Sequence, residues 1–167
     1  FIDVLKRVSA RKVYALMSTA SQTAISVDAP GKVNLYLAVG DVRPDGYHPL
    51  TTLFAAVSLT ETITVSEGQM PGLSLSMDIV PGSLVEQQMQ AGQFDPADVP
   101  MDERNLVYRA AELILAEHGI ESVPALHLHI AKAVPVAGGM AGGSADAAAA
   151  LIATDRYLHA TGRTGAL

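Results

Sequence analysis

The 167-residue sequence contains no cysteine and no tryptophan, and basic residues are scarce. Without cysteine the chain has neither disulfide bonds nor thiolate zinc sites, as is typical of proteins in a reducing compartment. The 11 lysines and arginines against 17 acidic residues give a net charge of −6, which argues against nucleic-acid binding. No apolar run is long enough to cross a membrane. The composition therefore predicts a cytoplasmic protein with no nucleic-acid or membrane partner.

Apolar residues make up 49% of the sequence, which is enough to bury one core of ordinary size. We expect a single domain from residue 25 to residue 167. Residues 1–24 begin with Phe1 rather than methionine and have a basic, amphipathic character. We interpret them as a leader or a translated extension, and we expect them to be poorly ordered.

Alternating apolar and polar residues predict several β-strands. The predicted strands are residues 24–29, 32–39, 50–60, 62–65, 73–79 and 125–131. Pro30 and Gly31 predict a turn between the first two. On the last strand His127 and His129 point away from the apolar side, and we favour a solvated face over a metal site there. Residues 80–101 are rich in proline, glycine and glutamine and predict a surface loop.

Two helices are predicted in the second half of the chain. Residues 102–119 have apolar residues at helical spacing, and Gly119 is a natural end. Either Asp102 or Asn105 is the predicted cap at the start. The face turned inward is predicted to carry Leu106, Ala110, Leu113 and Ile114. The second helix is rich in alanine and is predicted to begin at Ser144.

A glycine-rich segment, residues 137–143, joins the last predicted strand to the alanine-rich helix. Glycines let a ligand approach the main chain, and the start of a helix attracts an anion. The segment matches neither the GK[ST] phosphate loop nor the G-x-G-x-x-G fingerprint. Two interpretations stay open here: a phosphate-binding loop, which we favour, and a tight turn that serves packing. Asp146 suits the helix dipole but would repel a phosphate that carries no divalent cation.

Three segments carry a resemblance to a known family. PVAGGMAGGSADAAA, which starts at Pro135, resembles the glycine-rich ATP loop of the GHMP kinases, with Met140 where leucine is usual. PGKVNLYL from Pro30 is similar to the first motif of that superfamily. R-x-DGYH-x-L-x-T from Arg43 is similar to a motif of the branch that acts on a cytidine diphosphate-linked methylerythritol. The resemblance extends from about residue 25 to residue 157.

The resemblance implies roles for individual residues. Lys32 is implied as the catalytic lysine at the acceptor hydroxyl, with Asn34 beside it in substrate binding. Tyr47 and His48 are implied to hold the cytidine. Ser144 is the candidate ligand of a magnesium ion. The residues implied to bind ATP are Asn105, Lys132, Pro135, Val136, Ala137, Gly138, Gly139, Met140, Ala141, Gly142, Gly143 and Ser144.

The resemblance also implies a fold and a reaction. The fold is α+β, a mixed β-sheet with helices on one face, like the second domain of ribosomal protein S5. The reaction transfers the γ-phosphate of ATP, with Mg²⁺, to the 2-hydroxyl of the methylerythritol unit in the non-mevalonate isoprenoid pathway. Two alternatives stay open: another GHMP kinase that acts on a different small alcohol, and a non-catalytic nucleotide-binding module.

The catalytic aspartate of the family is expected beyond Leu167. We therefore interpret residues 25–167 as an N-terminal, ATP-binding lobe, and we expect that this lobe alone is inactive. We also expect weak self-association through apolar surface that a second lobe would cover.

Overall fold

The computed structural model describes residues 23–164. The predicted leader, residues 1–24, lies almost entirely outside the described residues. The strands and helices are β1 Ile25–Val39, β2 Leu50–Glu67, β3 Gly72–Ile79, α1 Leu84–Gln90, α2 Leu106–Glu117, β4 Ala125–Lys132 and α3 Gly142–Thr161. Among the helices of this part of the chain, none has the length and hydropathy needed to cross a membrane.

The strands form one mixed sheet in the order β1, β2, β4, β3. β2 pairs antiparallel with both β1 and β4, whereas β3 and β4 pair in parallel. A parallel pair needs a long crossover, and α1 and α2 lie in the connection between β3 and β4.

The core lies between one face of the sheet and the helices α2 and α3. Leu126, Leu128 and Ile130 of β4 are buried in it, as the alternation in that strand predicts. Alanines of α3 that are also buried, Ala149, Ala150 and Ala153, have small side chains, which allow the helix to pack closely on the sheet.

Strand β1 continues through Pro30 and Gly31, so the predicted turn at these residues is wrong. The pairing with β2 shifts register there instead, and it shifts again between Asn34 and Tyr36. Such β-bulges bend a strand without ending it. β2 is likewise a single strand through residue 61, where the alternation predicted two.

The predicted loop at residues 80–101 is only partly a loop, because it contains helix α1. Ser83 caps this helix by accepting a hydrogen bond of 3.1 Å from the backbone N–H of Glu86. Gly82 N donates to the Glu86 carboxylate at 2.7 Å. These contacts satisfy backbone donors at the helix start and explain why so short a helix forms.

Helix α2 begins at Leu106, and Asn105 rather than Asp102 provides the cap. Its predicted inward face is partly wrong, since Leu106 and Leu113 are exposed. The residues of α2 that are buried are Val107, Ala110, Ala111 and Leu115. The buried stripe of α2 therefore includes two alanines and leaves Leu106 and Leu113 outside it.

Helices α2 and α3 run side by side in the same direction. At their starts, a methyl group added at Gly143 would lie 3.8 Å from Leu106. Near their ends, His118 Nε2 lies 2.9 Å from Asp155 Oδ1. The positive ends of both helix dipoles therefore lie together, next to the loop that precedes α3.

Candidate active site

A cavity of about 440 Å³ opens at the N-terminal ends of α2 and α3. Its walls are formed by residues 135–144 and by the segment around the start of α2, and Ile130, Lys132 and Asp146 also line it. A cavity of this size suits a small-molecule ligand. Every residue that the resemblance implied for ATP binding lines this cavity.

The start of α3 leaves backbone donors for a ligand. The helix begins at Gly142, two residues before the predicted start at Ser144, and its N-cap residue, Ala141, makes no side-chain cap. Ala137 and Ala141 both have a φ of 58°, a left-handed conformation that is unusual for alanine. Because α1 and α2 carry side-chain caps, α3 differs from them in offering uncapped N–H groups to an anion.

Asn105 lies in the cavity wall with its side chain already engaged. Its Oδ1 accepts from Val107 N at 2.9 Å, and its Nδ2 donates to the carbonyl of Pro100 at 2.7 Å. These bonds hold the segment before α2 against the helix. Its predicted role in ATP binding stays a prediction.

A buried charge cluster lies beneath the loop. Lys132 Nζ donates to both oxygens of Glu61, at 2.7 and 2.8 Å, and to Asp146 Oδ2 at 3.0 Å. Glu61 is fully buried, while Lys132 and Asp146 are each 5% exposed. Asp146 Oδ1 is buried without a hydrogen-bond partner. The Lys132 ammonium, which the resemblance assigned to the nucleotide, is thus bonded to two carboxylates.

One ammonium does not compensate for two buried carboxylates. Burial, and then the nearby Asp146 carboxylate, raise the pKa of Glu61 to about 8, although Lys132 acts in the opposite direction. The cluster also lies against the loop, since a methyl group added at Gly142 would be 3.1 Å from Glu61 Oε1. Val134 N donates to the same oxygen at 3.2 Å. The cluster therefore connects β2, β4 and α3 at the cavity.

Sequence reasoning missed Glu61, although a signal was present. In β2 this residue lies on the same face of the strand as Ile63 and Val65, which are fully buried. Lys132 likewise lies on the same face of β4 as the buried residues of that strand. Burying a charged side chain lowers the stability of the fold unless the charge is paired. An acidic residue on the buried side of one strand and a basic residue on the buried side of another therefore predict an ion pair between them.

Helix α1 supports the loop from the other side. Gln88 Oε1 accepts from Val136 N at 3.1 Å, and Gln88 Nε2 donates to Val136 O at 3.3 Å. This pair of bonds reproduces the pattern between adjacent strands. The helix that the sequence did not predict is thus part of the cavity's support.

The backbone of Lys32 lies next to the loop, and its predicted catalytic role stays a prediction. Its backbone N–H donates to the Met140 carbonyl at 3.0 Å. Gly31 allows this approach, because a methyl group there would lie 3.3 Å from Met140 Cε and 3.2 Å from Val134 Cγ1. The Lys32 ammonium donates to Asn34 Oδ1. The structure therefore brings together the first motif and the ATP loop, which are about a hundred positions apart.

Tyr47 and His48 lie elsewhere, in the connection between β1 and β2. Tyr47 is 71% exposed, and His48 Nδ1 is 2.8 Å from the carbonyl of Gly40. The pairing of Val39 with Leu50 places this connection seven residues of β1 beyond Lys32, which is at most about 23 Å at about 3.3 Å per residue. A ligand that contacts both places therefore has to reach along the hairpin.

Two histidine clusters have residue types that bind metals. His127 and His129 bond to the hydroxyls of Ser74 and Ser76 at 2.8–2.9 Å, on the sheet face away from the helices. In a second cluster, His118, Asp155 and His159 place ligand atoms within 4.8 Å of one another.

The second cluster fits a hydrogen bond better than a metal. His118 Nε2 is bonded to Asp155, while its Nδ1 is buried without a partner. A metal at Nε2 would move the ring proton to Nδ1, where a buried donor would have no acceptor. We interpret the contact between His118 and Asp155 as a hydrogen bond that holds the C-terminal parts of α2 and α3 together.

Comparisons with known proteins agree with this architecture. Residues 105–164 match the family model described as GHMP kinases N terminal domain. The chain is 48% identical over 131 residues to 4-diphosphocytidyl-2-C-methyl-D-erythritol kinase of Paenarthrobacter aurescens (strain TC1), covering 78% of this chain and 38% of that protein. It is 52% identical over 131 residues to the protein of the same name from Mycobacterium avium (strain 104), covering 78% and 35%.

A solved structure shows the same fold. The crystal structure of a 4-(cytidine 5'-diphospho)-2C-methyl-D-erythritol kinase is 32% identical, with a TM-score of 0.57, over 86% of this chain and 42% of that chain. The predicted resemblance to the N-terminal lobe of a GHMP kinase and the predicted α+β fold are thereby confirmed. The chain spans 35–38% of the length of the two curated relatives described above.

Proposed function

From the fold and motifs of a GHMP kinase N-terminal lobe, we propose that this chain is the ATP-binding part of a small-molecule kinase. The proposed reaction is phosphorylation of the 2-hydroxyl of 4-diphosphocytidyl-2-C-methyl-D-erythritol in isoprenoid precursor synthesis. The observation that carries the kinase proposal is the cavity at the uncapped start of α3 with Lys32 beside it. The choice of substrate rests on the names of the relatives and on the DGYH segment.

In the proposed complex the N–H groups at the start of α3 bind phosphate oxygens of ATP. Protein sites for Mg²⁺ combine one or two protein oxygens with phosphate and water, and the exposed Ser144 hydroxyl in the cavity wall fits that pattern. A bound Mg²⁺ supplies positive charge next to the β- and γ-phosphates. Ser144 would hold it from the first turn of the helix.

Lys32 is proposed to stabilise the charge of the transferred phosphoryl group. Phosphoryl transfer depends mainly on positioning and on electrostatic stabilisation, and Lys32, whose backbone N–H donates to the Met140 carbonyl of the loop, is proposed to supply a positive charge there. Asn34 is proposed to contact the acceptor, and Tyr47 and His48 the cytidine. The catalytic aspartate expected beyond Leu167, and the inactivity of the lobe without it, stay predictions.

Gly143→Asp is expected to weaken binding of a non-hydrolysable ATP analogue by more than about tenfold, because the new carboxylate repels phosphate at the start of α3. The same carboxylate suits the helix dipole, so the free energy of unfolding should stay equal or rise slightly. A methyl group there touches only Leu106, at 3.8 Å, so the variant should fold.

Calorimetric titration with Mg²⁺ present measures the affinity, and urea unfolding measures the stability. Gly143→Ala adds bulk without charge and separates the two effects. Unchanged affinity in Gly143→Asp, or no binding by the original chain, would contradict the ATP site.

Tyr47→Ala is expected to weaken binding of the cytidine-containing substrate about tenfold, because stacking on an aromatic ring contributes about 1–3 kcal/mol per base. Tyr47→Phe keeps the ring and should bind as the original chain does. Neither variant should change the affinity for the ATP analogue. Equal substrate affinity in all three proteins would favour another GHMP kinase, and binding of neither ligand would contradict both proposals.

The remaining expectations belong to the same proposal. We expect the protein to act in the cytoplasm on a small molecule, without nucleic acid or membrane. Weak self-association also stays a prediction. The surface that would support it is the outer half of the β1–β2 hairpin, where large apolar side chains are exposed: Leu35, Tyr36, Leu37, Val39, Val42, Tyr47, Leu50, Leu53 and Phe54.

A further inference from the structure

The Lys32 ammonium is held by neutral groups. Among the ion pairs within residues 23–164, none involves Lys32. Its Nζ donates to Asn34 Oδ1 and lies 5.2 Å from the centroid of the Phe54 ring. Lys132, by contrast, is bonded to two carboxylates. Of these two lysines beside the loop, Lys32 is the one whose charge remains uncompensated.

We propose that Thr52 and Phe54 are positioning residues for the Lys32 ammonium. Thr52 acts by orienting the side-chain amide of Asn34, and Phe54 acts through the face of its ring. The functional importance of this arrangement rests on the proposed function, in which Lys32 faces the transferred phosphoryl group. The arrangement itself rests on contacts between β1 and β2.

The role of Thr52 follows from its single hydroxyl hydrogen. Thr52 Oγ1 donates that hydrogen to the carbonyl of Tyr36 at 2.9 Å. The register shift between Asn34 and Tyr36 interrupts the ladder there, and such a bulge leaves a backbone group available to a side chain.

Thr52 Oγ1 can then only accept a hydrogen from Asn34, and it does so from Nδ2 at 2.8 Å. An amide whose nitrogen faces Thr52 has its oxygen facing the other way, toward Lys32. Without the hydroxyl, the amide is free to rotate and to turn its NH₂ group toward the ammonium, where both groups are donors.

Phe54 supplies the second contact. It pairs with Asn34 across the two strands, so its ring lies next to the residue that binds the ammonium. The face of an aromatic ring attracts a cation within about 6 Å of its centroid. At 5.2 Å, the Lys32 ammonium lies within that distance of the Phe54 ring.

Nuclear magnetic resonance of the ¹⁵N,¹³C-labelled chain tests the arrangement directly. The signals are those of the Asn34 side-chain amide and of the Lys32 ε-methylene, and Lys32→Met identifies the latter. We expect Thr52→Val to shift both signals and Thr52→Ser to restore them. Thr51→Val is the matched control, because Thr51 neighbours Thr52 on the other face of β2, and it should shift neither. Phe54→Leu should remove the upfield ring-current shift of the Lys32 ε-methylene.

Asn34 and Lys32 signals that stay at their original positions in Thr52→Val would overturn the role of Thr52. An unchanged Lys32 ε-methylene in Phe54→Leu would overturn the role of Phe54. If Thr52→Val changes the backbone spectrum throughout the chain, Thr52→Ala replaces it in the same test. The ligand titrations decide the proposed function separately: shifted Lys32 signals without nucleotide binding would refute the kinase and keep the positioning contacts.

Discussion

Replacing Lys132 with methionine is expected to lower the free energy of unfolding by about 3–5 kcal/mol. The substitution keeps an unbranched side chain of similar length and removes the cation that bonds to Glu61 and Asp146. Both carboxyl groups remain buried, so at least one buried charge loses its partner. The same loss should disturb the start of α3, because Asp146 lies in its second turn.

Urea unfolding at pH 7 measures this effect. Lys32→Met is the matched control, since Lys32 is partly exposed and its contacts are neutral. We expect this control to change the free energy of unfolding by less than about 1 kcal/mol. Equal unfolding midpoints for Lys132→Met and Lys32→Met would show that the buried cluster does not stabilise the fold in the way described.

The second large effect is a loss of stability as the pH rises toward 8. The pKa of the Glu61 carboxyl is raised from 4.5 to about 8, first by burial and then by Asp146. Between these values the folded protein binds a proton at Glu61 that the unfolded chain releases. The stabilisation is therefore complete below about pH 4.5 and is lost as the pH rises through about 8. A pKa difference of this size corresponds to a loss on the order of 5 kcal/mol.

Glu61→Gln tests the sign of this dependence. Glutamine has the shape of the protonated carboxyl, can accept from Lys132 and can donate to Asp146, but it does not titrate. We expect the variant to approach the original protein in stability near pH 6 and to exceed it near pH 8.5. Other titrating groups are the same in both proteins, so subtracting one stability–pH curve from the other removes most of their contribution. A difference that does not change with pH would contradict a proton held at Glu61 in the folded state.

Much of the fold is predictable from local sequence. The alternation in β4 predicts its buried side, and the glycine-rich segment before an alanine-rich helix predicts the loop and α3. Helix α1 was predictable too, although it was missed, because Ser83 followed by Glu86 has the spacing of a capping box. The proline, glycine and glutamine around it favoured a loop instead. A helix of seven residues also has too few positions to show a clear helical period.

Other errors arose because the deciding contacts lie far away in the sequence. The local sequence at Pro30 and Gly31 predicts a turn. In the structure, pairing with β2 keeps β1 extended through these residues, and the pairing shifts register there. Leu106 and Leu113 of α2 were predicted to be buried, but the buried residues are Val107, Ala110, Ala111 and Leu115. In both cases a neighbouring element, and not local propensity, determined which residues are buried.

By itself the sequence determined the three motifs, the strand and helix periods and the resemblance that places Lys32 and the loop in one kinase lobe. These features depend on residues a few positions apart, so they are visible without the fold. Only the tertiary structure decided that Lys132 is bonded to Glu61 and Asp146, which are 71 and 14 positions away from it. It also decided that the side chain of Asn34 donates to Thr52 across the hairpin. The physical reason is that buried charge pairing and hydrogen-bond direction depend on register and packing, which bring distant residues together.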